Sequence, residues 1–317
     1  MKILLTGASG MVGRNILESE KAYLHEFLTP SSQTLDLADR RMIDLFLAEH
    51  KPEMIIHCAG LVGGIHANIA YPVDFLQANA LMGLNIVCAA KDHQIPELIN
   101  LASSCMYPRL AENPLREEML LSGELEPTNE GYAIAKLMTT RLCEYVCRET
   151  PHLNYRTLIP CNLYGRFDNF ETNRSHLIPA VIHKLHTAKA NDDDTVEIWG
   201  DGSARREFMY AGDLADFIFA VLPKLSDLPL TMNVGVGIDY SITEYYKSAA
   251  TVVGFQGDFV YDTSKPVGMQ QKLMDVRFQQ LLDWMPRTSL DLGLEKTYEY
   301  YVEGIDLEIC ASNKHLG

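Results

Sequence analysis

The feature that most constrains the fold is a glycine-rich turn near the start of the chain, set between a short apolar run and an amphipathic stretch. The apolar run covers residues 3–5, the turn covers residues 6–13, and helical periodicity begins at Met11. Glycine permits the tight turn and the close backbone approach that a crossing from strand to helix needs. Because the start of a helix favours an anion, this unit predicts a phosphate site.

Apolar runs and longer amphipathic stretches continue to alternate through the first half of the chain. The runs lie at 27–28, 54–57, 98–101 and 155–159, and the helical stretches lie at 38–50, 72–93 and 132–149. Regular alternation is typical of a parallel sheet covered by helices on both faces. We therefore predict an α/β fold with a Rossmann-type doubly wound parallel sheet, in which the glycine turn binds a dinucleotide.

The pattern changes after about residue 162 and predicts a second, smaller lobe. Residues 166–174 are polar without a clear period, residues 177–186 are helical, and residues 195–199 resemble a strand. We place the dinucleotide-binding domain at 1–165, with a return segment at about 205–225. A mixed α/β C-terminal lobe at 166–204 and 226–317 is expected to bind the substrate.

Composition excludes several classes of function. With 42 acidic and 27 basic residues, the formal net charge is −15, which argues against a surface that binds nucleic acid or an anionic membrane. The sequence shows no run of about 20 apolar residues and no secretory start. We therefore predict a cytoplasmic location and no membrane partner.

The seven cysteines are odd in number and scattered, as expected for reduced thiols. Cys143 and Cys147 are spaced to share one helix face, but the sequence lacks a second pair of zinc ligands near them. We predict core packing for these two thiols and no metal site.

The end of the second predicted strand indicates which dinucleotide binds. An acid there bonds the ribose 2′-hydroxyl of NAD and would repel the 2′-phosphate of NADP. Residues 28–34 contain no acid, so we predict NADP(H), with Ser31, Ser32 and Arg14 as candidate partners of the phosphate. The alternative is that these three are ordinary polar residues of a loop.

A second chemical signal combines Tyr132 and Lys136 with Ser103, which follows the fourth predicted strand. Tyrosine and lysine four residues apart share one face of a helix. The ammonium is expected to lower the pKa of the phenol, which then passes a proton to or from a carbonyl oxygen. The serine hydroxyl supplies a second hydrogen bond to that oxygen.

These features resemble the extended short-chain dehydrogenase/reductase family. Longer strings resemble the GDP-4-keto-sugar 3,5-epimerase/4-reductases of that family, from residue 1 to about residue 300. The matching strings are SSCMYP at 103–108, EPTNEGYAIAK at 126–136, NLYG at 162–165, DNF at 168–170, SHLIPA at 175–180, WG at 199–200 and REF at 206–208.

The resemblance implies NADPH-dependent 3,5-epimerisation and 4-reduction of GDP-4-keto-6-deoxy-D-mannose to GDP-L-fucose. Alternatives are the same chemistry on a related GDP-4-keto sugar, such as the 3,6-dideoxy precursor of GDP-L-colitose or a 6-deoxy-heptose, and reduction alone. A non-catalytic NADP-sensing protein is a more distant alternative, which the complete catalytic set disfavours.

The resemblance also implies roles for individual residues. Cys105 and His176 match the pair that inverts C3 and C5 through an enolate, and Tyr132, Lys136 and Ser103 match the group that protonates the C4 alkoxide. The residues expected to bind the cofactor are Gly7, Ser9, Gly10, Met11, Val12, Gly13, Arg14, Ser31, Ser32, Asp36, Leu37, Ala59, Gly60, Tyr132, Lys136, Asn162, Leu163 and His176. The residues expected to bind the GDP-sugar are Ser103, Asn162, Lys184, Trp199, Arg206 and Lys272, and residues 62–65 are expected to line the sugar pocket.

Two further expectations come from the same resemblance. Lys184 stands where the family pattern carries arginine, so a point charge replaces a two-pronged donor and the diphosphate geometry or the preferred sugar can differ. The family implies a homodimer paired through two long helices, here about 72–93 and 132–149. The spacing of apolar residues on the second helix is compatible with such an interface and also with simple packing on the sheet.

Overall fold

The computed structural model describes residues 1–171, 175–265 and 268–314, with side chains described as far as residue 305. The first half alternates strands and helices in the order β1 (Lys2–Thr6), α1 (Met11–Glu18), β2 (Glu26–Leu28), α2 (Arg40–His50), β3 (Met54–His57), α3 (Ile65–Ala70), α4 (Pro72–Asp92), β4 (Glu97–Leu101), α5 (Glu130–Glu149) and β5 (Asn154–Pro160).

The second half is more mixed. Its elements are β6 (Asn162–Tyr164), α6 (Leu177–Ala190), β7 (Thr195–Trp199), β8 (Arg205–Arg206), β9 (Phe208–Tyr210), α7 (Ala211–Val221), β10 (Thr231–Val234), β11 (Tyr240–Ser241), α8 (Ile242–Val253), β12 (Asp258–Asp262), β13 (Gln271–Lys272), α9 (Arg277–Leu281) and α10 (Leu290–Lys314).

Six strands form the main sheet in the order β2-β1-β3-β4-β5-β10, and each neighbouring pair is parallel. The chain leaves β1 toward β2 on one side and returns to β3 on the other, so the strand order reverses between β1 and β3. Ligands of open α/β sheets bind beyond the carboxyl ends of the strands at such a point. The predicted doubly wound parallel sheet is confirmed.

Strand residues alternate between two hydrophobic cores because successive side chains of a strand point to opposite faces. Leu4 and Ile55 pack with α2, α4 and α5, whereas Ile3, Leu5 and Ile56 pack with α1 and α7. All five side chains are fully shielded from water. Burial on both faces explains why these strands are continuous apolar runs in the sequence.

The domain boundary predicted at residue 226 is wrong for one strand. β10 pairs in parallel with β5 and completes the main sheet, although the prediction placed it in the smaller lobe. The chain returns to the main domain through α7, whose Leu214 and Phe217 pack in the main core, and then adds this strand. The smaller lobe has its own core around α6, α8 and α10, with Ile178, Tyr245 and Leu294 buried there.

Among the described helices, α4 is long and apolar enough, by length and composition alone, to cross a membrane. The prediction that the sequence contains no such stretch is therefore wrong as a statement about composition. In the fold, α4 packs on the main sheet beside α2 and α5, with Ile86, Val87 and Ala90 in the core.

Helices α4 and α5 approach each other closely at Gly83. A Cβ atom built on Gly83 would lie 2.0 Å from Oγ1 of Thr139 and 3.0 Å from the Thr139 Cβ. Since Thr139 is buried, it has no open space into which to move. Glycine at this position therefore sets the distance between the two helices.

We predict that Gly83→Ala lowers the free energy of unfolding. Alanine normally stabilises a helix interior by about 1 kcal/mol relative to glycine, but overpacking here costs about 1–3 kcal/mol. Urea unfolding followed by circular dichroism measures the difference. The double variant Gly83→Ala, Thr139→Ala should regain part of the loss because the clashing atoms are gone. A gain in stability from Gly83→Ala alone would contradict the contact.

Candidate active site

Gly7 and Gly13 are required by backbone packing at the point where the strand order reverses. A Cβ on Gly7 would lie 2.6 Å from the amide nitrogen of Ala59, and a Cβ on Gly13 would lie 2.3 Å from the carbonyl oxygen of Gly7. Gly7 also has a φ of +70°, which favours glycine. The two glycines therefore hold β1, α1 and the segment after β3 against one another.

Gly10 has a different explanation. Its φ is −79°, and it precedes the first turn of α1 without a side-chain cap. An added Cβ would meet only the Gly7 carbonyl oxygen, at an ordinary 3.4 Å. The fold alone thus tolerates a side chain at Gly10, but that side chain would stand at the helix start, where a pyrophosphate binds. The glycine turn therefore fits a dinucleotide.

The other residues expected at the cofactor are spread around the same end of the sheet. Ser9, Met11 and Val12 lie in the glycine turn and the first turn of α1, and Asn162 and Leu163 lie in β6. Ser31 and Ser32 are exposed in the turn after β2, and Leu37 is buried just before α2.

Three more of these residues make specific contacts. Asp36 accepts a hydrogen bond from the Ala38 amide at 2.8 Å. The guanidinium of Arg14 stacks on the Phe167 ring, 3.7 Å from its centre. A Cβ on Gly60 would lie 3.6 Å from Nζ of Lys136, so the segment after β3 reaches α5.

The structure brings Ser103, Tyr132, Lys136 and Cys105 together beside this turn. The Ser103 hydroxyl oxygen accepts a hydrogen bond from the Cys105 amide at 3.4 Å, and the hydroxyl favours the charged forms of the neighbouring Tyr132 phenol and Cys105 thiol. Nζ of Lys136 donates to the Leu101 carbonyl oxygen at 2.9 Å and lies 5.7 Å from the centre of the Tyr132 ring.

Burial controls the protonation of this group. It raises the pKa of the Tyr132 phenol, which nearby Cys105 raises further and Ser103 opposes. It also lowers the pKa of the Lys136 ammonium to about 8. The predicted net lowering of the Tyr132 pKa is wrong for this structure, because desolvation of the phenol outweighs the effect of the ammonium, which is bonded to Leu101. Tyr132 is therefore a protonated donor at neutral pH.

Cys105 and His176 are both uncharged at neutral pH. Burial raises the pKa of the Cys105 thiol, and Lys272 is the first of the groups that oppose this. His176 lies just before α6, and its side chain is exposed at the surface. Desolvation by the surrounding protein atoms lowers the pKa of its imidazole. Within the described part of the chain, no hydrogen bond or ion pair joins His176 to Cys105.

Two expected substrate residues lie side by side. Lys272 of β13 is the register partner of Arg206 of β8. Both cations are near Glu126, which favours their charged forms while burial lowers the pKa of each. Asn162 donates from Nδ2 to the Glu207 carbonyl oxygen at 2.8 Å, so β6 is tied to the same region.

Two lysine ammonium groups lie close to the ring of Trp199. Nζ of Lys184 lies 5.4 Å from the ring centre and Nζ of Lys265 lies 5.8 Å from it. His66 of α3 contacts the same ring edge-on, with ring centres 5.1 Å apart. Sequence patterns assigned no role to His66, Lys265 or Glu126, although Glu126 opens one of the matching strings.

The cysteine pair on α5 serves packing. Cys143 is fully buried in the core beneath α4, and Cys147 Sγ contacts the backbone of Tyr155 at 3.3 Å. The described residues contain no cluster of three or more potential metal ligands. Cys310 lies outside the described side chains.

A parallel sheet with a glycine-rich first turn and a Ser–Tyr–Lys group defines a dinucleotide-binding enzyme of the dehydrogenase/reductase type. The family model for the NAD dependent epimerase/dehydratase family matches residues 3–235, and this chain belongs to that family.

Named relatives are similar over nearly the whole chain. It is 55% identical to a GDP-L-colitose synthase of Yersinia pseudotuberculosis over 302 residues, covering 95% of this chain and 98% of the relative. It is 48% identical to a GDP-L-fucose synthase of Azorhizobium caulinodans, covering 96% and 97%. A GDP-D-glycero-L-gluco-heptose synthase of Campylobacter jejuni, crystallised in the presence of NADPH, superposes with a TM-score of 0.86 at 30% identity, covering 95% and 98%.

We predict that Gly10→Ala weakens dinucleotide binding by about tenfold or more, equivalent to about 1.4 kcal/mol. The added methyl group has room in the protein but occupies the pyrophosphate position. Fluorescence titration with NADPH measures the affinity, and thermal unfolding checks the fold. Gly13→Ala is the matched contrast, because its Cβ clashes with backbone and should lower stability as well. Unchanged NADPH affinity in Gly10→Ala would argue against this binding mode.

Proposed function

We propose that this chain is an NADPH-dependent epimerase and 4-reductase of a GDP-4-keto-6-deoxy sugar, with GDP-4-keto-6-deoxy-D-mannose as substrate and GDP-L-fucose as product. One observation carries the proposal: a proton-donating group, Ser103 with Tyr132 and Lys136, lies beside Cys105, which interacts with Lys272 next to Arg206. We call these six residues the cleft. A reductase alone needs only the first group. Proton transfer at a carbon next to the ketone needs a further acid–base group, and the Cys105 thiol can serve as one.

The reduction step uses Tyr132 as the proton donor. When bound, NADPH supplies the hydride to C4. The Tyr132 phenol donates its proton to the oxygen that becomes the alkoxide, and the Ser103 hydroxyl donates a second hydrogen bond there. Lys136, 7% exposed, places a positive charge beside the phenolate that remains.

The epimerisation step uses Cys105 and His176. The 4-keto group acidifies the hydrogens at C3 and C5, so one side chain removes a proton and another returns a proton on the opposite face. The neutral imidazole of His176 is ready to accept a proton, and the neutral thiol of Cys105 is ready to donate one. The oxygen that carries the enolate charge faces the same hydroxyls as the later alkoxide.

The two phosphates of GDP meet positive charge in the smaller lobe. Arg206 and Lys272 lie on neighbouring strands, and Lys184 stands beside the Trp199 ring. We expect the diphosphate to lie between these cations and the guanine to lie near Trp199.

A second candidate substrate is the GDP-4-keto-3,6-dideoxy sugar that yields GDP-L-colitose. It is favoured by the 55% identity to a synthase of that product, against 48% to a GDP-L-fucose synthase. With a methylene group at C3, only inversion at C5 changes the configuration. The same residues serve either substrate, so the preference depends on the groups that meet C3.

The experiment incubates the purified protein with each GDP-4-keto sugar in deuterated water, with and without NADPH. Absorbance follows NADPH oxidation, and NMR follows deuterium at C3 and C5. Exchange together with oxidation supports the proposal, and the larger kcat/KM identifies the substrate. Oxidation without exchange indicates a plain reductase. Neither signal with any 4-keto sugar, the heptose analogue included, would contradict the proposal.

We predict that Tyr132→Phe lowers the rate of NADPH oxidation by about 10²–10⁴-fold while deuterium exchange continues. The variant keeps the ring and loses only the donated proton. Cys105→Ala should behave in the opposite way on the epimerisable substrate, with exchange lost first. If Tyr132→Phe turned over like the unaltered protein, Tyr132 would not be the donor.

We also propose a homodimer paired through α4 and α5. The outward sides of these helices carry exposed large apolar side chains, namely Val73, Leu76, Leu81, Leu84, Ile134, Met138 and Tyr145. An apolar face of this extent is typical of a surface that pairs. A two-fold axis would place α4 and α5 of one copy against the same helices of the other. Pairing also accounts for the apolar composition of α4.

We predict that Leu84→Arg converts the dimer to a monomer, since the axis would bring two buried guanidinium groups together. Light scattering coupled to size exclusion measures the mass. Leu45→Arg on α2 is the control, because Leu45 is 61% exposed and lies on a helix outside the proposed α4–α5 pair. A monomeric unaltered protein, or a dimer that survives Leu84→Arg, would contradict the interface.

A cytoplasmic location agrees with the thiol chemistry. All six cysteines with described side chains are free, and an oxidising compartment would put them at risk. The net charge of −15 supports a small-molecule partner over nucleic acid.

A further inference from the structure

The two residues that flank Lys272 are held by the side chain of Asn113. Its Oδ1 accepts a hydrogen bond from the Leu273 amide at 2.7 Å, and its Nδ2 donates to the Gln271 carbonyl oxygen at 3.4 Å. One amide group thus bonds the backbone on both sides of Lys272, as a neighbouring strand would. Asn113 is half-buried, so these bonds are partly shielded from water.

Further bonds anchor the same segment. The Leu115 amide donates to the Leu273 carbonyl oxygen at 2.7 Å. The Met274 amide donates to the buried carboxylate of Glu207 at 2.7 Å. Lys272 therefore projects from a backbone that is fixed on both sides, and its position is set by the connection between β4 and α5.

That same connection carries Cys105. Cys105 is 5% exposed, and the neighbouring groups that interact with its thiol are Lys272, Ser103, Lys136 and Tyr132. The groups that face Lys272 are Cys105, Arg206 and Glu126. The connection that anchors the backbone of Lys272 therefore also carries the cysteine with which the lysine interacts.

A buried thiol that takes part in proton transfer needs a cation. Cys105 passes between thiol and thiolate in an epimerisation, whether it first gives or first takes the proton. Burial penalises the charged form. Lys136 is already bonded to Leu101, whereas Lys272 favours the thiolate of Cys105 more than Ser103 or Lys136 does, and that thiolate in turn favours the Lys272 ammonium more than Glu126 does.

We propose that Lys272 is the cation that stabilises the Cys105 thiolate, and that Asn113 is the positioning residue that holds it there. The resemblance assigns Lys272 to the diphosphate, so this is an additional role for it. The proton leaves sulfur for the substrate carbon, or arrives from it, and the ammonium keeps its own protons throughout. The inference rests on the proposed function only for the use made of the thiolate.

The test measures the thiol directly and needs no substrate. The full-length protein is alkylated with iodoacetamide across a pH series, and mass spectrometry of the Cys105 peptide gives the rate. Lys272→Met should raise the midpoint of the rate profile by about one pH unit, which is about tenfold slower alkylation below the midpoint. Lys272→Arg should stay close to the unaltered protein, and Asn113→Ala should shift the midpoint the same way by less.

Lys184→Met is the matched control, a lysine of the smaller lobe that contacts Trp199 and the Glu197 carbonyl oxygen. Its Cys105 midpoint should be unchanged. An unshifted midpoint in Lys272→Met overturns the pairing, and an unshifted midpoint in Asn113→Ala overturns the positioning role. If Lys272→Met does not unfold cooperatively, the Cys105 midpoints of Lys272→Arg and Asn113→Ala are compared. A raised midpoint in Asn113→Ala with an unchanged midpoint in Lys272→Arg supports the proposal, and equal midpoints overturn it.

The sugar assays separate the two ideas. A shifted midpoint in a protein that exchanges no deuterium into any GDP-4-keto sugar would keep the pairing and reject the proposed function. Deuterium exchange together with an unshifted Cys105 midpoint would support the proposed function and reject the pairing of Lys272 with Cys105.

Discussion

Every part of the candidate site depends on one backbone contact, where the glycine turn meets the segment after β3. A Cβ atom added to Gly7 would lie 2.6 Å from the Ala59 amide nitrogen, so the two backbones touch without side chains between them. A Cβ atom built on Gly60, the next residue, would lie 3.6 Å from Nζ of Lys136. The same contact therefore sets the distance between the dinucleotide turn and the helix that carries Tyr132.

The second constraint is the burial of charge in a protein that is acidic overall. The net charge is −15, yet Lys136, Arg206 and Lys272 all stand in the cleft, and burial lowers the pKa of each. Charged groups leave water at a high cost unless partners replace it. Here the partners are carbonyl oxygens, as for Lys136 on Leu101, and the acid Glu126. The cleft thus concentrates positive charge for a diphosphate although the whole surface repels anions.

The sequence predicted most of the main domain because its signals are local. A strand buried on both faces is a continuous apolar run, and the glycine turn joins β1 to α1 within eight residues. β10 escaped prediction because its four residues, TMNV, have no period and follow a return through α7. The site residues that carry motifs were predicted, but Asn113 and His66 act on residues more than 100 positions away. The pKa of Tyr132 was predicted in the wrong direction because desolvation depends on the whole fold.

The arginine and the glutamate of the REF string show how one short motif can hold both a binding group and its support. Successive residues of an extended segment point to opposite sides. Arg206 is half-buried beside Lys272, whereas Glu207 is fully buried and accepts hydrogen bonds from the backbone amides of Gly237 at 2.8 Å and Met274 at 2.7 Å.

Those amides belong to separate segments, one after β10 of the main sheet and one after β13. Without the carboxylate they would be buried donors without partners, which folded proteins avoid. Burial raises the pKa of Glu207 to about 7, and the donated hydrogen bonds oppose that rise. A single acid thus joins the main sheet to the strand of Lys272 at the edge of the cleft. The position of Arg206 and Lys272 relative to the main sheet therefore depends on this buried acid as well as on the residues at the surface.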